Sequence, residues 1–209
     1  MMHTQQITLY NEGKEFPYLI IDNFYSAEEE LLAWAELEEL TNHLSRDIEE
    51  SGVATSRGTL DPLARKRFIW MDDYYSEDRD RSFILNNNYK TVFGDEVLSK
   101  YLGPSMHLLG SSNIDHTLLN YYEGENEYYK SHWDTASHTT VLLMFKQPRG
   151  FTGGDLHFEQ PNETVECINN RMIIFPSFYL HEVTPIKSTT NNKGYGRYSI
   201  VNFIDEIRE

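Results

Sequence analysis

The tripeptide His132-Trp133-Asp134 carries two metal-binding side chains two positions apart. On an extended strand, residues at this spacing point to the same face, so the imidazole and the carboxylate are directed together while Trp133 points away. A second imidazole would complete a 2-His-1-carboxylate set, which binds Fe(II) and leaves coordination positions open for reactants. The chemistry of this segment therefore depends on whether the chain supplies the third ligand.

His181 is the predicted third ligand. It follows an apolar stretch at residues 171–175 and a proline turn, and it begins another strand-like segment. A β-sandwich or barrel can bring such a strand beside the one that carries His132. Other histidines are given structural roles, His138 in a polar turn and His157 in an alternating strand.

Arg197 and Ser199 are a candidate anion-binding pair near the end of the chain. They share one face of an alternating segment. An arginine that faces the interior is costly unless it is paired. Its guanidinium can bind a carboxylate through two hydrogen bonds, and a neighbouring hydroxyl suits the same ligand. The alternative is that Arg197 is an edge residue paired with a surface acid.

The order of these residues resembles the 2-oxoglutarate/Fe(II) dioxygenase superfamily and, within it, the prolyl 4-hydroxylase-like branch. The residues that carry the resemblance are His132-x-Asp134, His181-Glu182-Val183, Gly196-Arg197-x-Ser199, Tyr122, Tyr129, Gly153-Gly154-Asp155-Leu156 and the apolar strand 172–175. The resemblance covers residues 105–205. The strand and capped helix at residues 16–32 are similar to the usual N-terminal support, but they are less specific.

The chain departs from the branch between His181 and Arg197, where the interval is longer than usual. Residues 188–195 are hydrophilic, and they are interpreted as an insertion that lengthens the tip of a hairpin loop. Lys193 lies in this loop and is the alternative cation for the role of Arg197.

The resemblance implies an Fe(II)- and 2-oxoglutarate-dependent dioxygenase that hydroxylates an unactivated C–H bond and releases succinate and CO2. It implies that His132, Asp134 and His181 bind the metal and act in catalysis, with O2 as co-substrate and ascorbate as a further cofactor. Arg197, helped by Ser199 or Tyr122, would bind the distal carboxylate of 2-oxoglutarate. A prolyl residue of a peptide or protein is the first expectation for the substrate.

Other functions stay open at this level. The same site could act on a free amino acid, a small metabolite or another protein side chain. Nucleic-acid demethylation is disfavoured, because the net charge of −15 repels polyanions and the final strand lacks a second arginine. A non-catalytic, cupin-like metal-binding module is the alternative from a different class, although cupins favour His-x-His and this chain has His-x-Asp.

The elements that must position these residues are predicted to be antiparallel strands. Short apolar segments separated by turn formers occur at 114–122, 128–134, 139–146, 155–158, 163–168, 171–175, 181–186 and 197–204. Strands at this spacing without intervening helices are typical of a sandwich or barrel. The predicted fold is mainly β with flanking α, a double-stranded β-helix (jelly roll) supported by N-terminal helices. Residues 1–209 are predicted to form a single domain, with strands, helices and a lid in 1–104 and the catalytic core in 105–209.

The N-terminal part is predicted to begin with strands at residues 7–10 and 17–22. A helix of four to five turns should follow the capping box formed by Ser26 and Glu29. Its predicted core-facing stripe consists of Leu31, Trp34, Leu37, Leu40 and Leu44. A further strand is predicted at residues 68–71.

The segment that follows this first helix has no regular period over residues 45–66. Residues 45–85 are expected to act as a lid that controls substrate choice. The basic cluster Arg65-Lys66-Arg67 is interpreted either as a solvated turn that balances nearby acids or as a contact for an acidic substrate or partner. A second helical pattern occupies residues 79–101, with a break near Gly94.

The overall composition is that of an acidic globular protein, with 39% hydrophobic residues and 18 basic against 33 acidic side chains. Cys167 is the only cysteine, which excludes a disulfide framework and a thiolate metal cluster. The N-terminus lacks the pattern of a signal peptide, and no apolar run approaches the length of a membrane span. These features predict a soluble, cytoplasmic protein without stable binding to nucleic acid or membranes.

Overall fold

The computed structural model describes residues 3–44, 62–94, 97 and 113–206, which are built mainly from antiparallel strands. The strands are β1 (Gln6–Tyr10), β2 (Tyr18–Asp22), β3 (Ala64–Arg65), β4 (Arg67–Trp70), β5 (Ile114–Tyr122), β6 (Glu127–His132), β7 (His138–Met144), β8 (Phe151–Thr152), β9 (Leu156–Phe158), β10 (Glu163–Val165), β11 (Arg171–Pro176), β12 (His181–Ser188) and β13 (Arg197–Asp205). The helices are α1 (Ala27–Thr41), α2 (Met71–Tyr74) and α3 (Phe83–Val92), with a 3-10 turn at Arg79–Arg81.

The strands form two sheets, as the predicted jelly roll requires. The major sheet has seven strands in the order β1-β2-β11-β7-β13-β5-β4. The minor sheet has the order β10-β9-β12-β6-β3, and β8 pairs with β12. Strands that are not consecutive in the sequence, such as β7 and β11, are neighbours in the major sheet. The predicted fold class, mainly β with flanking helices, is confirmed.

Each strand segment predicted after residue 105 is present, and β5 has the predicted ends. The structure adds β8, which is too short to give a sequence signal. The strand β6 ends at His132 rather than at residue 134, because the chain turns there: the backbone N–H of Asp134 donates to the carbonyl of Ser177 (2.9 Å) in the loop after β11.

Two apolar cores lie on the two faces of the major sheet. Leu119 and Tyr121 of β5 pack toward the helices, whereas Leu118 and Tyr122 of the same strand pack between the sheets. This alternation is the period of two expected for a strand buried on both faces. The inner core, between the sheets, is the layer that contains the candidate site.

Helix α1 covers the outer face of the major sheet. Its capping box is present: Glu29 N–H donates to Ser26 Oγ (3.3 Å) and Ser26 N–H donates to Glu29 Oε2 (2.8 Å). Leu37 and Leu40 are buried as predicted, but the inclusion of Leu31 in the core stripe is wrong, since this side chain is 71% exposed. The buried face passes through Leu37 and Leu40, and Leu31 lies on the opposite side of the helix.

A buried carboxylate links α1 to α3. Glu36, which the sequence places on a polar face, accepts hydrogen bonds from Ser82 Oγ (2.6 Å) and Ile84 N–H (2.9 Å) at the start of α3. Helix α3 ends at Val92, close to the break predicted near Gly94. Residues 45–61, 98–101 and the predicted boundary near residue 105 lie outside the described residues. Within the part of the chain that is described, none of the helices is long and apolar enough to cross a membrane.

Candidate metal and co-substrate site

The three predicted metal ligands come together at one end of the inner core. His132 on β6 and His181 on β12 are direct partners across the minor sheet, and Asp134 lies just beyond the end of β6. The Nε2 atoms of the two imidazoles are 3.7 Å and 3.5 Å from the Asp134 carboxylate oxygens. One ligand atom from each residue lies within 4.8 Å of the others, a spacing that could hold a metal ion.

Backbone carbonyls fix the orientation of both imidazoles. His132 Nδ1 lies 2.8 Å from the carbonyl oxygen of Lys130, and His181 Nδ1 lies 2.8 Å from that of Tyr179. A carbonyl accepts only, so Nδ1 carries the proton in each ring and Nε2 presents a lone pair toward Asp134. This is the arrangement by which hydrogen-bonded partners orient metal-binding histidines.

The electrostatics of the three side chains suit a divalent cation. Burial lowers the pKa of His132 to about 3, and it also lowers the pKa of His181, with the Asp134 carboxylate acting in the opposite direction. Both rings are therefore neutral near pH 7, which is the form that binds metals. Burial raises the pKa of the Asp134 carboxyl, and a cation among the three ligands would offset the cost of its negative charge.

Thr139 and Ser177 hold the carboxylate of Asp134 in place. Thr139 Oγ1, on β7, donates to Asp134 Oδ2 (3.0 Å) and lies 2.8 Å from Ser177 Oγ. Because Thr139 is fully buried, this hydrogen bond has no competition from water. No sequence pattern indicates a role for Thr139, since the contact depends on the loop that follows His132.

We expect Thr139→Val to weaken metal binding by roughly tenfold, the lower end of what loss of a ligand's hydrogen-bond partner costs. The substitution keeps the shape of the side chain and removes only the hydroxyl. Titration of the apoprotein with Mn(II) or Fe(II) measures the effect, with Thr8→Val on the exposed strand β1 as the matched control. Equal affinities in the two variants would contradict the role of Thr139.

A small cavity of about 50 Å³ begins at the three ligands and lies between the sheets. Asn120 of β5 and Ser199 of β13 are paired across the major sheet, and both line the cavity. Val141 and Leu156 contribute apolar walls. The cavity thus offers a mostly apolar space with a few polar groups, beginning at the candidate metal ligands.

Arg197 lies at the start of β13, two positions before Ser199, and is paired with Tyr122 of β5. It is fully buried, its guanidinium carbon lies 5.2 Å from the centroid of the Tyr122 ring, and the thiol of Cys167 is nearby. Its Nε, Nη1 and Nη2 atoms have no hydrogen-bond partner among the residues that the structure describes. Unmet buried donors of this kind fit a carboxylate ligand, since the desolvation cost is otherwise not compensated.

The alternatives to this arginine do not match the structure. Arg197 is not an edge residue, because β13 lies between β7 and β5 inside the major sheet. Lys193 is exposed in the loop between β12 and β13, whereas Arg197 is fully buried. The lengthened loop therefore leaves the position of Arg197 on the strand unchanged.

The Gly153-Gly154 turn packs directly against Arg197. Gly154 has a φ of +77°, and a Cβ atom there would lie 2.8 Å from Arg197 Cδ. Arg149 stabilises the turn by donating hydrogen bonds to the carbonyl oxygens of Gly153 (2.6 Å) and Cys167 (3.0 Å). The Gly153-Gly154 turn, part of the family resemblance, thus shapes the space around the guanidinium.

Lys66 lines the cavity, and its burial was not predicted from the sequence. It is the single residue between β3, on the minor sheet, and β4, on the major sheet, and it is 4% exposed. Its Nζ donates to Asn120 Oδ1 (2.7 Å), and burial lowers the pKa of the ammonium group to about 7. The reading of the cluster as a solvated turn is therefore wrong for Lys66. The apolar residues Ala64 and Phe68 lie two positions before and after Lys66. On an extended segment this spacing puts all three side chains on one face, and this pattern could have indicated that Lys66 points inward.

Comparison with known families finds a superfamily model that matches the part of the chain with the candidate site. Residues 117–205 match the model of the 2OG-Fe(II) oxygenase superfamily, a segment that contains His132, Asp134, His181 and Arg197. Over this segment the chain is similar to a superfamily of 2-oxoglutarate-dependent dioxygenases, which use Fe(II), 2-oxoglutarate and O2. A comparison with curated proteins found no match.

Solved structures with a similar fold include prolyl hydroxylases. A prolyl hydroxylase from Trichoplax adhaerens, in complex with a hypoxia inducible factor peptide fragment, aligns with a TM-score of 0.62 and 15% identity over 90% of this chain and 83% of that one. The viral collagen prolyl hydroxylase of Paramecium Bursaria Chlorella virus-1, as its 2OG complex, aligns with a TM-score of 0.58 and 18% identity over 95% and 99%. At these identities the likeness establishes a prolyl-hydroxylase-like fold.

Proposed function

We propose that this enzyme hydroxylates a prolyl residue of a peptide or protein, with conversion of 2-oxoglutarate to succinate and CO2. His132, Asp134 and His181 would hold Fe(II), which supplies the O2 chemistry when it is bound. The observation that carries this proposal is the buried guanidinium of Arg197, without hydrogen-bond partners in the described chain, beside a cavity that begins at the three ligands. That pairing fits an anionic co-substrate held next to a metal.

Arg197, Ser199 and Tyr122 would bind the distal carboxylate of 2-oxoglutarate. The guanidinium can form two parallel hydrogen bonds with it, and Ser199 lies two positions along the same face of β13. Burial raises the pKa of the Tyr122 phenol, so the hydroxyl keeps its proton and can donate to the same carboxylate. These residues orient the co-substrate and fix its distance from the metal ligands.

The apolar walls of the cavity would exclude water from the reacting groups. Val141, Leu156 and Val201 line the cavity that begins at the three ligands. In such an environment the hydrogen bonds to a carboxylate are stronger than in water. Limited access of water also protects reactive species from side reactions.

An open groove next to the cavity supports a peptide as substrate. Trp70 and Phe203 lie on the groove with ring centroids 5.9 Å apart, and both Phe203 and Asp134 also line the cavity. Trp133 and Phe178 are 55% and 68% exposed, and each is next in sequence to a residue of the Asp134–Ser177 backbone hydrogen bond. Apolar surface around a site of this size suits a chain that runs past the metal and inserts one side chain.

The test is succinate formation by the Fe(II)-loaded enzyme with 2-oxoglutarate and a panel of proline-containing peptides. We expect peptides to stimulate turnover several-fold above the substrate-free rate, with mass spectrometry showing a gain of one oxygen on proline. Stimulation by free L-proline or other small metabolites alone would favour the alternative substrate class. If no succinate forms, either with any candidate substrate or without one, the result would favour a non-catalytic, cupin-like role.

A cytoplasmic location, the use of ascorbate and the lack of nucleic-acid or membrane partners stay predictions.

A further inference from the structure

We propose that Lys66 binds a carboxylate in the cavity, in addition to the carboxylate assigned to Arg197. This inference deepens the proposed function and depends on its assignment of Arg197 to the distal carboxylate of 2-oxoglutarate. The carboxylate on Lys66 has two candidate sources: the one beside the keto group of 2-oxoglutarate, near the metal, or one on the acceptor substrate.

The position of Lys66 follows from the way the chain crosses between the sheets. Ala64 and Arg65 pair with β6 of the minor sheet, and the next strand begins at Arg67 and pairs with β5 of the major sheet. Lys66, between them, therefore extends its side chain into the interior of the jelly roll. It lines the same cavity as the three metal ligands.

The contacts of the ammonium group lie along the path from the metal ligands to Arg197. On one side, Lys66 Nζ is 4.2 Å from the centroid of the Tyr129 ring, which stacks on the His132 imidazole at 3.6 Å. On the other side it bonds to Asn120, which is two positions from Tyr122 on the same face of β5. A molecule that spans the metal ligands and Arg197 would therefore pass this ammonium.

The bonding capacity of Lys66 is only partly used. An ammonium group has three N–H donors, and the described part of the chain supplies one hydrogen-bond acceptor, Asn120 Oδ1. The aromatic face of Tyr129 stabilises the charge but accepts no strong hydrogen bond. A buried ammonium in this condition is costly, and a carboxylate ligand would supply both the missing acceptors and the counter-charge.

The charged groups of the cavity also favour the binding of a second carboxylate, in addition to the one assigned to Arg197. Asp134 is a candidate metal ligand, so its charge is directed to the metal rather than to Lys66 or Arg197. 2-Oxoglutarate carries two carboxylates, and Arg197 accounts for one of them. Lys66 is the one lysine or arginine among the described residues that line this cavity.

The experiment is a set of binding titrations on the Mn(II)-loaded protein, which measures affinity without turnover. The ligands are 2-oxoglutarate and oxalate, which keeps the metal-proximal carboxylate and lacks the distal one, followed by L-proline and L-prolinamide in the presence of 2-oxoglutarate. The variants are Lys66→Met and Lys66→Gln, with Lys187→Met, an exposed lysine of β12, as the matched control. The glutamine variant can still donate a hydrogen bond to Asn120, so it separates loss of charge from loss of that contact.

We expect both Lys66 variants to bind 2-oxoglutarate and oxalate about tenfold or more weakly than the wild type, the cost of a lost charge-assisted hydrogen bond. The control variant should bind as the wild type does. This result assigns Lys66 to the metal-proximal carboxylate. A loss confined to L-proline, with L-prolinamide unaffected, assigns it to the acceptor substrate instead.

Unchanged affinity of both variants for every ligand that the wild type binds would overturn the proposal. Failure of the wild type itself to bind 2-oxoglutarate would contradict the co-substrate assignment rather than the role of Lys66. Thermal melting of the apoproteins checks the fold, and we expect no loss of stability, because replacing a buried charge by a neutral side chain of similar size is often neutral or stabilising.

Discussion

Asp134→Ala will reduce succinate formation by more than about 100-fold, because loss of a metal ligand must cost more than loss of a ligand's hydrogen-bond partner, which itself costs up to that factor. The two imidazoles that remain, from His132 and His181, cannot complete the 2-His-1-carboxylate set. Metal titration should show a parallel loss of affinity. The fold should persist, because the substitution removes a buried carboxyl whose ionisation burial already disfavours.

The matched control is Asp80→Ala, an exposed carboxylate in the 3-10 turn before α3. We expect this variant to keep wild-type metal affinity and turnover. Activity within a few-fold of the wild type in Asp134→Ala would contradict the assignment of the metal ligands and leave the His132 and His181 pair without a catalytic role.

Arg197→Met will lower the affinity for 2-oxoglutarate without lowering the thermal stability of the apoprotein. Truncating one partner of a buried, hydrogen-bonded charge pair costs about 2–5 kcal/mol, which corresponds to a loss of roughly 30-fold or more in affinity for 2-oxoglutarate. In the apoprotein, by contrast, the guanidinium has three nitrogen atoms without hydrogen-bond partners in the described chain. Methionine removes those unmet donors and keeps much of the volume. We therefore expect the melting temperature of the apoprotein to stay the same or rise.

The measurements are isothermal titration with 2-oxoglutarate on the Mn(II) protein and thermal melting of the apoprotein. Arg81→Met, at an exposed arginine, serves as the control and should alter neither quantity. A large loss of stability with unchanged 2-oxoglutarate affinity would mean that Arg197 is a structural residue.

Much of the site could be predicted from the sequence because its residues lie on strands with clear patterns. The spacing of His132 and Asp134 predicts a shared direction, and the apolar strand before His181 predicts a second strand that faces them. Arg197 could be assigned across a lengthened loop because alternation along β13 sets which residues face inward, and loop length does not change that alternation. The jelly roll followed from the same short apolar segments.

The features that escaped prediction depend on contacts between segments far apart in the chain. Lys66 faces the cavity because β3 pairs with β6 and β4 pairs with β5, and a single sequence does not reveal either pairing. Thr139 meets Asp134 only because the chain turns after His132. Leu31 follows the helical period but lies on the side of α1 away from the sheet, and hydrophobic spacing alone does not set the centre of the buried face.

The most direct test of the account is an anaerobic titration of the Fe(II)-loaded protein with 2-oxoglutarate, followed by visible absorption. Chelation of the metal by the keto acid should produce a weak charge-transfer band in the wild type. We predict that the band is lost in Asp134→Ala and requires higher 2-oxoglutarate concentrations in Arg197→Met. Absence of the band in the wild type, or an unchanged band in Asp134→Ala, would contradict the assignment of His132, Asp134 and His181 as the iron site.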